Sequence, residues 1–282
     1  MKKYAVLRIV LFSIAILVLV GILIAGLSAG ISSGHFSISL GNTPIDGTAA
    51  SSGSVSADEV RNIEIEWAAG SITIQPGDTD VITFSETEVS DEKNKMIWKQ
   101  DGDTLAIQFC QSQVFFGISF DQSKDLTITV PQDWICNDLD IDSASAEVEI
   151  NDLTIRKMDF DGASGICTFN NCDINELSVD TASGDVEFSG TLNTLDCSAA
   201  SAKCTLLLKN TPRQIDVDTM SGDLDITLPA DCGFTVTMDA MSSDFTSDFD
   251  TTSSNGTYTH GDGNCRISID AMSGDVAIHK GE

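Results

Sequence analysis

The chain is short of most of what catalytic and metal-binding sites are built from. Three histidines occur in 282 residues, His35, His260 and His279, at no metal-ligand spacing, which removes most zinc sites and histidine-based nucleophile systems. Basic residues number 15 against 43 acidic ones, a formal charge of −28, so the summed field repels polyanions and excludes nucleic-acid binding. Aromatics make up 6% and proline 5 residues, whereas Gly, Ser, Thr and Asp abound, a balance suited to strands and turns. No CxxC redox motif is present. What the chain does have is 41% hydrophobic residues, enough to bury a core.

The first concentration of apolar residues is at the N-terminus. Lys2, Lys3 and Arg8 precede an uncharged run over residues 9–31, long enough to cross about 30 Å of hydrocarbon as a helix. The positive charges on its N-terminal side place residues 1–8 in the cytoplasm and the remainder outside, a single-pass protein of the cell membrane. The rival reading is a cleaved signal peptide ending near Leu27-Ser28-Ala29; either way the rest is exported. Residues 32–57, rich in Gly, Ser, Thr and Ala, read as a flexible stalk.

The second half of the chain, residues 136–282, is an internal repeat. With the glycine of Ala182-Ser183-Gly184 as position zero, equivalent positions are Ala146, Gly165, Ala202, Gly222, Ser243 and Gly274, giving successive spacings of 19, 19, 18, 20, 21 and 31. Positions −7, −5, +2 and +4 are apolar in every unit except at Ser247. Each unit is thus two short strands of period 2 around a small-residue corner. Position −1 is serine throughout (Ser145, Ser164, Ser183, Ser201, Ser221, Ser242, Ser273), and −2 is alanine four times and then methionine at 220, 241 and 272. Such columns favour an all-β solenoid, or β-helix, of about 19-residue coils, in which like positions stack about 4.8 Å apart. An array of β-hairpins is the alternative. An earlier copy at Ile63, Ile65, Gly70, Ile72 and Ile74 stands 76 residues before the main array, close to four periods. Residues 58–135 otherwise break the period and read as an irregular β cap, with an Asp-Gly hairpin signal at Asp101-Gly102. Residues 247–265 expand the last interval and read as an exposed loop.

This pattern resembles the bacterial putative-adhesin family, a β-solenoid domain of unknown function. The residues behind the resemblance are Ile63-x-Ile65-x-Trp67-Ala-Ala-Gly70-x-Ile72-x-Ile74, the Leu126-x-Ile128-x-Val130-Pro131 strand and the Ser-Gly-Asp corners at Ser183, Ser221 and Ser273, spread over residues 58–282. The resemblance implies surface attachment, or in some similar membrane-anchored proteins a part in envelope-stress signalling, and no catalytic residue. Ala146, Ala202 and Ser243 depart from the corner glycine, so different backbone conformations are expected there.

Two features carry candidate chemistry. Position −4 is Asp142, Asp161, Asp180, Asp218, Asp239 and Asp270, interrupted by Ser198, and +1 is acidic in five units. Stacked carboxylates repel one another, and oxygen-rich ladders at turns are what calcium requires, so the −4 acids are the metal candidates. The competing reading has each −4 Asp accepting backbone N–H groups of its own corner, with the +1 acids solvated; the Gly-rich signature of calcium-binding β-rolls is missing. The structural corners are Gly165, Gly184, Gly222 and Gly274 with Ser164, Ser183, Ser221 and Ser273. Eight cysteines in an exported domain raise the question of disulfides, yet Cys167, Cys197 and Cys204 stand in apolar columns and read as buried free thiols. If bonds form, Cys197 with Cys204, or Cys167 with Cys172, are the nearest pairs. Solenoid enzymes acting on polysaccharides use clustered Asp residues on a coil face, but such an active site is expected to break the repeat, and the conspicuous break is the 247–265 segment with Tyr258 and His260. The acids instead recur in nearly every coil, so a non-catalytic role is expected. Two functions remain open: an adhesin or extracellular interaction module, and an envelope regulatory component acting through a membrane partner.

Overall fold

The computed structural model describes residues 45–87, 89–110 and 123–281. The expected cytoplasmic residues 1–8, membrane segment 9–31 and the first part of the stalk lie outside the described residues. Among the described residues, no helix is long and apolar enough to cross a membrane.

Among the described residues, twenty strands form one continuous sheet system. The N-terminal part contributes β1 (Thr48–Ala49), β2 (Ser52–Ser56), β3 (Asn62–Gly77), β4 (Val81–Glu86), β5 (Ile97–Asp101), β6 (Thr104–Gln108) and β7 (Lys124–Pro131), with a 3-10 turn at Glu92–Asn94. The repeat supplies β8 (Ile135–Asn151), β9 (Thr154–Ser164), β10 (Cys167–Ser183), β11 (Val186–Ser201), β12 (Cys204–Leu208), β13 (Gln214–Ser221) and β14 (Leu224–Leu228). The C-terminal part holds β15 (Phe234–Ser242), β16 (Phe245–Ser247), β17 (Thr252–Ser254), β18 (Thr257–His260), β19 (Cys265–Ser273) and β20 (Val276–Lys280).

Successive coils pair in parallel and in register, with Asp161 opposite Asp180 and Ser164 opposite Ser183. That is the arrangement of a solenoid, and the hairpin array is not what forms. The regular coils bend where the two-residue spacing of buried side chains fails and at the corner. In the coil from 166 to 184 the buried residues are Cys167, Phe169, Cys172, Ile174, Leu177 and Val179, with steps of three at 169–172 and 174–177 and the corner at Gly184. The bend after Phe169 uses Asn171 in the left-handed region (φ 54°), as Asp152 does one coil earlier (φ 53°). The next coil is one residue shorter, and the register slips by one there, between Phe169 and Cys172.

The corners explain the serine column. Three of the hydroxyls donate to the position −2 carbonyl of the neighbouring coil: Ser145 to Ala68 (3.3 Å), Ser164 to Ala144 (3.4 Å) and Ser273 to Met220 (3.5 Å). They also explain the glycines. Gly165 has φ 131°, and a Cβ there would lie 2.3 Å from the Ala146 carbonyl oxygen. Ala146, Ala202 and Ser243 are not among the positive-φ residues, so those corners differ from Gly165, Gly184 and Gly274 in backbone conformation, as expected, although Gly222 is not among them either.

Spatial order departs from chain order at both ends. On one side of the coil the strands run β6, β3, β8, β9, β10, β11, β13, β19, β15. The copy at Ile63 is therefore not four periods away: Ile63 lies directly opposite Leu139 of β8. At the other end, β19 sits between β13 and β15, so the last coil of the chain is inserted beneath the previous one. Within 58–135, β3 is a regular coil of the stack, and β6 and β7 lie on its outer side. The outermost coils are covered by antiparallel strands. β4 and β5 pair with β7 and β6, and β2 and β1 add to them, so residues 48–56, expected in a flexible stalk, are strands of this cover. At the C-terminal end β18 pairs with β15, and β17 with β18. Unpaired sheet edges invite association with other chains, and these strands occupy them.

Candidate functional surface

All six −4 aspartates stand in one line across the stack. In spatial order the column runs Glu66, Asp142, Asp161, Asp180, Ser198, Asp218, Asp270 and Asp239. Glu66 extends it at a position the sequence reading passed over. A second acidic column lies two residues earlier on the same outward face, with Glu64, Asp140 and Asp159 in succession and Asp196 beside Asp216. Period-2 alternation alone would have found it, since a residue two before an outward position also points outward.

The face is electrostatically self-repelling. Partial burial, reinforced by Asp142, Asp159, Asp161 and Glu64, pushes the Asp140 carboxyl up to about 6. Asp142, Asp161, Asp196 and Asp270 are raised for the same first reason, burial, and then by neighbouring carboxylates. Asp140, Asp161 and Asp196 still have exposed side chains, so solvent screens much of this repulsion. Among the described residues no three His, Cys, Asp or Glu side chains converge closely enough to hold a metal ion. The columns are a ladder of single carboxylates and not a coordination cage.

Backbone capping falls to the other acidic column. Asp185 accepts from the Lys203 N–H (3.0 Å), Asp223 from Asp275 N–H (2.9 Å) and Asp275 from Asp244 N–H (3.1 Å). Three of the five +1 acids, expected to be merely solvated, are thus rungs between adjacent coils. A charge-assisted bond to a backbone N–H is among the stronger neutral-pH contacts available at a turn.

The interior offers little room. A cavity of about 10 Å³ among Cys197, Cys204, Val217, Leu224, Ile269 and Val276 admits no more than one water. At the N-terminal end the core contains an ion pair: the Lys124 ammonium meets Glu86 Oε2 at 2.5 Å and donates to the carbonyls of Asn94 (2.8 Å) and Phe109. It also lies over the rings of Phe109 (4.1 Å) and Trp67 (4.9 Å). The other Glu86 oxygen accepts from the Met96 N–H (2.9 Å), so every partner of this pair is occupied structurally.

The 247–265 segment is not an open loop. β17 and β18 form a hairpin whose turn, Asn255-Gly256, has both residues at positive φ (51° and 75°), the conformation such dipeptides favour. Tyr258 stacks on Phe245 (centroids 4.1 Å apart), and His260 packs against Phe249 (4.9 Å) and Phe234 (5.6 Å). The two residues that marked this break as a place for catalysis are packing residues of the end cover.

All eight cysteines are buried thiols, among them Cys167, Cys197 and Cys204, for which the apolar columns implied it. Two pairs touch. Cys197 and Cys204, flanking one corner, hydrogen-bond each other in the core, and this with burial holds Cys204 well above the usual thiol range. Cys232 and Cys265, unpaired in the sequence reading, hydrogen-bond each other at the C-terminal end.

A family model described as Toastrack DUF4097 matches residues 60–194 and again 137–279, the whole coiled region. The chain belongs to this family. The two overlapping matches reflect the repeat, since the model fits the stack in two positions. Solved structures are more distant. A putative adhesin from Bacteroides fragilis is 14% identical, with 84% of this chain and 100% of that one covered and a TM-score of 0.48. A putative cell adhesion protein from Clostridium sporogenes is 11% identical over 82% and 98%, TM-score 0.36. A putative lipid binding protein from Parabacteroides distasonis is 12% identical over 85% and 100%, TM-score 0.36. Likenesses this remote carry no functional argument. No curated protein matches the Toastrack chain.

Proposed function

We propose that this Toastrack protein is a non-catalytic, exported interaction module of the cell surface, adhesin-like, held to its own membrane by residues 9–31. The observation that carries the reading is the outer −4 column: carboxylates recur in register from β3 to β15, interrupted at Ser198, over an interior that is filled. Small-molecule and catalytic sites need a concave pocket with a few convergent polar groups. A rigid ladder of repeated carboxylates instead presents many equivalent contacts along one direction, which suits a large, repetitive partner bound at several points.

The test is binding of the purified exported part to intact cells and isolated envelopes, comparing wild type with a variant carrying Asp142→Asn, Asp161→Asn and Asp180→Asn. These changes keep side-chain size and leave the corners intact. Binding to a surface ligand that falls in the variant supports the module. Unchanged binding overturns the acidic face as the contact. Loss of the cellular phenotype only when residues 9–31 are exchanged for an unrelated helix would favour the regulatory alternative.

A further inference from the structure

We propose that Cys232 and Cys265 form a disulfide that fastens the inserted last coil to the outermost one. The geometry brings the residues together from a separation of 33 positions in sequence. Cys265 opens β19 directly opposite Phe234 of β15, and its N–H donates to the Gly233 carbonyl at 3.0 Å. Cys232 immediately precedes that glycine, held by its own N–H to the Pro229 carbonyl (3.0 Å). Both thiols are buried, at 1% and 0% exposure, and each acts on the other's titration through a side-chain hydrogen bond. The bond would close a loop containing β15, β16 and the whole β17–β18 cover, the part of the fold whose order departs from the chain.

The chemistry is asymmetric in the way thiol–disulfide exchange requires. The Cys265 thiol donates its hydrogen bond to Cys232, and the Thr211 hydroxyl adds to it, holding Cys232 below the usual thiol range; Cys265 is raised in turn. Cys232 also adjoins the exposed turn residues Ala230 and Asp231, by which an oxidant can approach. The Cys232 thiolate attacks one sulfur of an external disulfide, of small-molecule or oxidoreductase type, forming a mixed disulfide and expelling one thiolate. Cys265 then gives up its proton and attacks the Cys232 sulfur, expelling the second thiolate. Two protein thiols become one disulfide while the oxidant's disulfide becomes two thiols. Cys197 and Cys204 lack this arrangement: Cys204 is pushed up, both are buried, and a bond between them would close a loop of only six intervening residues. The proposal rests on export only for the supply of oxidant, and purified protein tests the site apart from it.

The full chain in detergent is equilibrated in glutathione and its disulfide, quenched with acid, alkylated unfolded and digested without reduction. The expected result is a chain lighter by two hydrogens, one peptide pair joining Cys232 to Cys265, and a Tm lowered by reduction. Cys232→Ser and Cys265→Ser each abolish the pair and the Tm response, while Cys197→Ser retains both. Alkylation of all eight thiols in the wild type, or a link at Cys197–Cys204 instead, overturns the proposal; neither readout depends on a variant folding. The same digest on native membranes separates the two readings. A link formed in glutathione but absent there leaves the site standing and contradicts export to an oxidising compartment.

Discussion

The middle of the stack and its two ends solve the same problem differently. From β8 to β14, spatial order follows chain order, the interior is apolar, and serine and aspartate rungs such as Ser164 to Ala144 and Lys203 to Asp185 tie neighbouring corners. At the ends the chain steps over itself: the first and last coils, β3 and β19–β20, each lie one place inside an outermost coil. The consequence is that neither terminal coil is left as an open edge. An array whose coils are stabilised only by nearest neighbours frays from its ends, and at the C-terminal end this topology makes the outermost coil, β15 and β16, dependent on a chain segment that arrives later. It exchanges local connectivity for closure, and contacts of long sequence separation fold slowly.

The largest predicted effect follows directly. Removing residues 264–282 withdraws β19 and β20 from between their neighbours, leaving β13 and β15 with no partners on that side; loss of cooperative unfolding and aggregation are expected. Removing one internal period, 166–184, should leave a shorter folded stack with a lower urea m-value, whereas removing half a period reverses inward and outward positions. Equal collapse of the two whole-coil deletions would erase the distinction between middle and ends.

Next comes the chemistry of the interiors. Glu86→Ala leaves the Lys124 ammonium buried without its counter-ion, at 5% side-chain exposure; a cost of about 3–5 kcal/mol in urea unfolding is expected. Phe169→Ala in the apolar middle, where Phe169 packs on Phe188 at 5.8 Å, should cost a similar 3–5 kcal/mol through cavity formation, and Glu86→Gln should recover part of the Glu86→Ala loss by retaining an acceptor. A smaller loss, about 1–3 kcal/mol, is expected from Gly165→Ala, where φ 131° and the Ala146 carbonyl both oppose a side chain.

The smallest effect is electrostatic. Asp140 titrates near 3.8 when unfolded and about 6 when folded, so the native chain holds more protons in that window and stability rises as pH falls from about 7 toward about 4. Asp101 and Asp248, lowered by Lys99 and by the Lys280 N–H with His279, act in the opposite sense from fully exposed positions where screening is strongest. A higher Tm at pH 5 than at pH 7.5 is therefore predicted, with Asp140→Asn raising the pH 7.5 value and flattening the difference. A Tm that falls on acidification would show that the ladder is not under repulsion.

The corners, the inward positions and the −4 column were legible because each is a property of one unit repeated. Coil order was not, since a repeat makes coils interchangeable: the inward residues Ile267, Ile269, Val276 and Ile278 fit any place in the stack. One signal did exist. The coil that proves outermost is the weakest apolar one, with Ser247 breaking the rule and Met238 only partly buried, while the long interval after it supplies the chain needed to turn back underneath. The same blindness hid the thiol pair, because Cys232 and Cys265 lie upstream of the columns read from the corner, and their meeting depends on the insertion of β19. The hairpin was legible in principle from Asn255-Gly256 between threonine-rich runs. Asp185, Asp223 and Asp275 were seen but misassigned, since a rung to the next coil cannot be inferred from one coil alone.

The inserted coil is tested most directly by cross-linking outward positions of adjacent strands. Asp216 lies opposite Ser268, and Ser268 opposite Thr237, so residues 216 and 237 are two strands apart. Neighbouring strands are about 4.8 Å apart, within reach of a disulfide, and a separation of two strands exceeds it. Mild oxidation of the Asp216→Cys, Ser268→Cys double variant should therefore yield a 216–268 link, and the Asp216→Cys, Thr237→Cys variant should yield no 216–237 link. A 216–237 link without a 216–268 link would mean that the coils follow chain order and that the account of the ends is wrong.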